Sequence, residues 1–171
     1  MHSLRRILID IIVLFTIVVT LMYVYQTYGE LISTYLFGEQ REGIIIDDVS
    51  ILVSYADEPE ERTQGLSGTA SLGELEGKLF FFDELDYHGI WMKDMLFPID
   101  IIWIDNNLKI VHIEENVTPE TYPAVFRPTE PARFVLEVNA HFVDQFQIKV
   151  GDPVTIPAAD LPTDLREELQ N

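Results

Sequence analysis

The sequence predicts a mainly β, α+β fold: a compact mixed β-sheet or half-barrel with one or two short helices, preceded by a single N-terminal transmembrane helix. Three observations predict it. The first 25 residues hold a dense apolar run. From about residue 44, short segments rich in Val, Ile, Phe and Trp are bounded by Gly, Pro, Asn and Asp, which is the punctuation of strands and turns. Between those segments, only short stretches carry helix start and stop signals.

The apolar run, Ile7 to Tyr25, reads ILIDIIVLFTIVVTLMYVY. At 1.5 Å per residue it is about 28 Å long, close to the hydrocarbon thickness of a bilayer. Arg5 and Arg6 precede it, so the positive-inside rule sets the N-terminus in the cytoplasm and everything after residue 28 outside. The expectation is a single-pass protein of a prokaryotic cell membrane with an extracytoplasmic domain. Tyr23, Tyr25 and Tyr28 suit the outer interface. Asp10 lies one turn from Arg5 and Arg6 and can reach the headgroups. Signal cleavage would need small residues at the end of the run, where Met22, Tyr23, Val24, Tyr25 and Gln26 stand; an uncleaved anchor over 1–28 is expected. Residues 29–43 read as a juxtamembrane stalk. Leu31, Ile32, Tyr35 and Leu36 have helical spacing, and Gly38 and Gly43 break it.

A globular domain is expected over 44–157. Val49, Ile51, Val53 and Tyr55 alternate as a strand. A short helix follows, with Asp57 as cap, Pro59 in the first turn, early glutamates, and an end near Gly65 or Gly68. Lys78 to Phe82 and His88 to Met95 are expected strands, with Pro98 fixing a bend as a candidate cis residue. Asp100–Asp105 and Leu108–Ile113 form a hairpin across Asn106-Asn107, a pair that suits a type I′ turn. Its first arm is apolar on both faces and should be a covered, central strand. Four prolines between 116 and 132 imply a loop, Arg133 to Val138 a strand, Ala140 to Phe146 one or two helical turns, and Val154 to Ile156 a last strand. The acidic tail, 158–171, is expected to be frayed or partly helical.

The net charge is −18. Beyond residue 28, nine basic residues face 28 acidic ones. Such a surface repels phosphate backbones and anionic headgroups, so no nucleic-acid partner is expected. Cations, basic proteins and neutral molecules stay open. There is no cysteine, which removes disulfides, thiolate metal sites and Cys nucleophiles. An outward domain without disulfides fits a prokaryote. No metal site and no cofactor are expected: His88, His112 and His141 share no ligand spacing, and no phosphate-binding glycine loop or nucleophile elbow occurs around Ser67.

The densest polar–apolar mixture is Gly89-Ile-Trp-Met-Lys-Asp-Met-Leu-Phe-Pro-Ile-Asp100. Charges set among apolar residues need partners. One reading pairs Lys93 with Asp100 or Glu137 to tie strands together, with Trp91 in the core. The other has Trp91, Lys93, Asp94, Asp100 and Glu137 lining one cleft, with Arg62 as a further candidate for ligand binding.

Glu61-Arg62-Thr63-Gln64-Gly65-Leu66, Gly77-Lys78-Leu79-Phe80-Phe81-Phe82, Trp91-Met92-Lys93-Asp94-Met95, Pro98–Asp105, Val135-Leu136-Glu137-Val138 and Ile148–Val154 stand in order over about a hundred residues. In this order and spacing residues 51–156 resemble the DUF192 family, a widespread prokaryotic domain of unknown function. The resemblance implies a compact, mainly β fold with small helices, often behind a signal peptide or anchor, and no agreed reaction. The sequence departs from the family pattern in three places. Ser67-Gly68-Thr69 lacks the usual basic residue, Lys78 replaces the Met of Gly-Met-Leu-Phe, and His141 replaces a glycine.

Three functional readings follow. The first is a non-catalytic binding or accessory module of the cell envelope, holding a small ligand, a polymer or a protein segment. The second is an envelope enzyme using Asp94, Asp100 or Glu137 as acid or base beside Lys93. The third is a purely structural or interaction domain.

Overall fold

The computed structural model describes residues 2–37 and 43–168, which divide into two units near residue 40. The first unit is one helix, α1 (His2–Phe37). Within it, Ile11–Tyr28 has a mean hydropathy of 1.8, and among the described residues this is the one helix long and apolar enough to cross a membrane. Helix runs through most of the expected stalk, since nothing between Tyr28 and Phe37 breaks it. Residues 38–42, with the break expected at Gly38, lie outside the described residues, and Gly43 opens the first strand.

The second unit is built on a seven-stranded sheet. Its strands are β1 (Gly43–Ile46), β2 (Val49–Ala56), β3 (Glu76–Asp86), β5 (Ile99–Ile104), β6 (Ile110–Val117), β8 (Ala132–Asn139) and β9 (Val154–Thr155). Their order is β6-β5-β8-β3-β2-β1-β9. The short strands β4 (Ile90–Trp91) and β7 (Val125–Phe126) pair separately. All pairings are antiparallel except β2 with β3, which run parallel across the helix α2 (Pro59–Gln64). The sheet curls into a half-barrel. The turn before β9 meets the hairpin that opens β6, with Gly151 N–H donating to the Ile110 carbonyl at 2.8 Å and Val154 N–H to the Leu108 carbonyl at 2.8 Å.

Curling gives the sheet two apolar faces. One holds Ile44, Ile46, Ile51, Val53, Leu79, Ile102, Phe134 and Leu136, and is filled by Phe142 and Val143 of α3 (Phe142–Phe146) and Leu165 of α4 (Thr163–Glu168). The other holds Phe80, Ile99, Ile101, Trp103 and Val135, covered by Leu66, Ile90, Met92 and Met95. Both faces of β5 are buried, as its apolar composition predicts.

Several sequence expectations are corrected. The strand expected over His88–Met95 ends at Trp91, because the chain turns at Met92–Met95 and Asp94 adopts φ +55°. The hairpin turn takes no positive φ at Asn106 or Asn107; Leu108 does, at +55°. The Asp105 carboxylate accepts the backbone N–H groups of Asn107 and Lys109, both at 2.9 Å, which favours a type I turn followed by a left-handed residue. The cis peptide precedes Pro123, not Pro98. Of the two states expected for the tail, the described residues 158–168 take the partly helical one, and they are well packed rather than frayed. Leu161 and Leu165 are buried, Tyr55 donates to Asp160 at 2.7 Å, and Arg133 holds Asp164 through two nitrogens at 2.7 and 3.2 Å.

Asp100 is a structural residue. Fully buried, its carboxylate accepts the backbone N–H groups of Asn116 at 2.7 Å, His141 at 3.3 Å and Val143 at 2.9 Å. It therefore ties β5 to the end of β6 and to the entry of α3. Asp100→Ala should cost about 3–5 kcal/mol, because it strands buried donors and leaves a void; urea unfolding would measure it. His141 is exposed at φ +69°, a backbone conformation that favours glycine. His141→Gly should raise stability by up to about 1 kcal/mol by removing left-handed strain, read as a higher urea midpoint at unchanged m-value.

Candidate functional site

On the sheet face opposite α3 lies a cavity of about 270 Å³. Its wall comes from α2 and the turn after it, including Arg62, Gln64, Gly65 and Ser67, and from Trp91 and Met95; Phe80 and Glu137 rise from the sheet. Each part is placed by local sequence. Pro59 opens α2 and the Glu61 carboxylate accepts the N–H of Glu58 at 3.4 Å and of Asp57 at 3.3 Å. The Glu58 bond is the main reason the Glu61 carboxyl titrates below the usual glutamate range. Gly65 ends the helix at φ +52°, ψ −127°, and a Cβ there would lie 3.1 Å from the Phe80 ring. Only glycine occupies that backbone region without strain.

Glu137 forms the floor. It sits in β8 between Ile101 of β5 and Lys78 of β3, its direct cross-strand partners. It is 4% exposed, and its buried Oε2 has no hydrogen-bond partner among the described residues. Burial in apolar surroundings pushes its pKa up to about 8, with the Lys78 charge opposing the rise. Glu137 is therefore mostly a neutral acid at pH 7. The Lys78 ammonium is drawn to the Tyr55 carbonyl at 3.5 Å.

Arg62 is fixed before any ligand arrives. Its guanidinium donates to the Phe81 carbonyl at 2.8 Å and to the Asp57 carbonyl, approaches the Asp83 carboxylate at 3.6 Å, and lies 5.7 Å above the Phe82 ring. Trp91 is 44% exposed, whereas Trp103 is the tryptophan of the core, its indole N–H donating to the His88 carbonyl at 2.9 Å.

Lys93 and Asp94 line an adjoining, more open groove with Pro59, Glu60, Thr63, Gln64 and Ser67. The turn carrying them is stitched to the end of α2, since Ser67 Oγ donates to the Lys93 carbonyl at 2.7 Å and Gly68 N–H to the Asp94 carbonyl at 2.9 Å. The structure thus brings Arg62, Trp91 and Glu137 to one cavity and Lys93 and Asp94 to its neighbour. Asp100 does not join them. It pairs with Val138 and, by the alternation of a strand, points to the opposite face from Glu137. The expected tie between Lys93 and Asp100 or Glu137 does not form: Lys93 lies in the adjoining groove, and the cation across the strand from Glu137 is Lys78. Gln64, Ser67, Phe80, Met95 and Lys78 were not among the candidates. A parallel β2–α2–β3 unit laid over Glu137 would have identified them, and a single strand pattern does not reveal that pairing.

A buried acid whose pKa is higher in the folded state makes folding less favourable as pH rises from about 4.5 to about 8, because the folded chain then holds a proton that the unfolded chain has lost. Below that window the effect vanishes, and above it the loss is complete. Glu137→Gln should flatten this part of the stability–pH curve and add on the order of a few kcal/mol at pH 8, measured by urea unfolding from pH 4 to 9.

The sequence profile of DUF192, described as an uncharacterised ACR, matches residues 44–156. No curated protein matches the chain. Among solved structures, a candidate transcription regulator from Sinorhizobium meliloti 1021 is 32% identical with a TM-score of 0.60, over 62% of this chain and 81% of that one. A protein of unknown function from Novosphingobium aromaticivorans DSM 12444 has a TM-score of 0.63 at 24% identity, over 67% of this chain and 84% of that one, a likeness of fold.

Proposed function

The chain belongs to the DUF192 family, whose reaction is unassigned, and from this footing we propose that it is a non-catalytic ligand-binding or accessory module of the cell envelope. In this reading α1 anchors the protein as a single-pass helix with its N-terminus in the cytoplasm, and the β-rich domain stands outside a prokaryotic cell membrane. The apolar Ile11–Tyr28 stretch and the preceding Arg5 and Arg6 support the anchor.

One observation carries the binding role: a buried carboxyl, its Oε2 without a hydrogen-bond partner among the described residues, lining a cavity with a half-exposed tryptophan at its wall. Buried polar groups are nearly always satisfied, and functional sites are a recurrent exception. A cavity with an apolar lining and a few convergent polar groups is the common form of a small-molecule site. The name of the Sinorhizobium meliloti protein raises nucleic acid as a partner, but a net charge of −18 opposes contact with phosphate backbones.

Acid chemistry is the second reading. Its support is that Glu137, with a pKa of about 8, would be protonated and able to donate near neutral pH. The carboxylate it would need as a second group is not Asp100, which faces the other side of the sheet.

A thermal-shift screen of the detergent-solubilised full chain against sugars, amines and peptides tests the binding reading. A ligand at a hundred times its Kd should add about 2.7 kcal/mol of stability, and the shift should vanish in Trp91→Ala and Glu137→Gln. A shift that survives both substitutions would remove the cavity from the role. Protease added to intact cells should digest the portion beyond Tyr28; full protection would overturn the topology.

A further inference from the structure

We propose that the cavity over Glu137 takes a small organic cation, an alkylammonium or guanidinium group, with Glu137 as its counter-charge and Trp91 as its apolar wall. The inference rests on the binding reading above and names the ligand class.

Oε2 of Glu137 is buried and has no hydrogen-bond donor among the described residues. A cationic group supplies donors and a charge together, and asks only for acceptors in return. The charged groups facing Glu137 leave that place open. Lys78, across the strand on β3, turns its ammonium to the Tyr55 carbonyl at 3.5 Å. Arg62 on α2 is held by the Asp57 and Phe81 carbonyls and by Asp83. From β5, the neighbour of Glu137 is the uncharged Ile101. Lys93 and Asp94, on the turn after β4, lie along the adjoining groove.

The walls suit the body of such a ligand. Phe80, Ile90 and Met95 offer apolar surface to an alkyl chain, and the half-exposed Trp91 ring offers a face to a cation. The wider field selects the same sign. A chain of net charge −18 concentrates cations near its surface and repels anions. An anionic ligand would meet that field, and would find the Arg62 guanidinium already engaged.

Binding a cation requires Glu137 to release its proton, so affinity should rise with pH. With a pKa of about 8, the ionised fraction grows about tenfold between pH 7 and pH 9. A ligand that instead accepted the Glu137 proton in a hydrogen bond would show the opposite trend.

Calorimetric titration of the full chain in detergent, from pH 7 to 9, decides the point. The probes are n-butylammonium and methylguanidinium, with 1-butanol and methyl glucoside as neutral counterparts. Alkylamines keep their charge across this range, with pKa values of about 10.4. The expected result is binding of both cations, about tenfold tighter at pH 9, at least tenfold weaker in Glu137→Gln, and several-fold weaker in Trp91→Ala. Circular dichroism and urea unfolding check that both variants fold. Equal binding of n-butylammonium and 1-butanol, or affinity that falls as pH rises, would overturn the proposal. Preference for methyl glucoside would overturn the cation while leaving the cavity as a binding site. Failure of every probe on the unsubstituted chain would also overturn it, and the broader ligand screen then judges the binding reading separately.

Discussion

The organisation of the domain depends on the pleat of two adjacent strands, β5 and β8. Asp100 pairs with Val138 and Ile101 with Glu137. Because successive side chains alternate across a sheet, two acids on neighbouring strands end on opposite faces. Asp100 is enclosed beside α3, where three backbone N–H groups neutralise its demand for donors. Glu137 is enclosed on the other face, where its Oε2 meets no donor among the described residues. The same residue chemistry at the same depth gives a structural clasp on one side and an unsatisfied acid on the other.

Both acids stay in place because the sheet curls. Its two faces are filled separately, by α3 and α4 on one side and by the β4 turn and the end of α2 on the other. The parallel β2–β3 pairing sends the chain across the second face, and α2 is the crossover. That crossing sets Arg62, Gly65 and Ser67 over Phe80 and Glu137. The cavity is thus the space left between a six-residue helix and the strands it spans.

Much of the fold was legible in the sequence. Val49 to Ala56, Ile99 to Ile104 and Ala132 to Asn139 have compositions that allow few alternatives to buried strands. Local geometry was harder. Trp91-Met92-Lys93-Asp94-Met95 alternates like a strand, yet only Trp91 pairs with one, and the Lys93 and Asp94 carbonyls accept from Ser67 and Gly68 after α2. Asn106-Asn107 suggested one turn, while the Asp105 carboxylate imposed another. The packing of the tail was not legible because its burial rests on two leucines, and a two-residue signal is lost among acidic neighbours. For the site, Trp91 and Glu137 could be named from the sequence as aromatic or charged residues in apolar surroundings, whereas Arg62, in a polar stretch, entered only as a further candidate. The exclusion of Asp100 could not, since it depends on which strand lies beside β8 and in which register.

Gly65 has a consequence for the wall of the cavity. Its missing side chain faces the Phe80 ring, with a would-be Cβ 3.1 Å from that ring and 3.8 Å from the Glu137 carboxyl. The ring and the acid can lie this near the end of α2 because that position carries only a hydrogen atom. A methyl group in that place would push the Phe80 ring aside, so the bare backbone of one residue keeps that wall where it stands beside the acid.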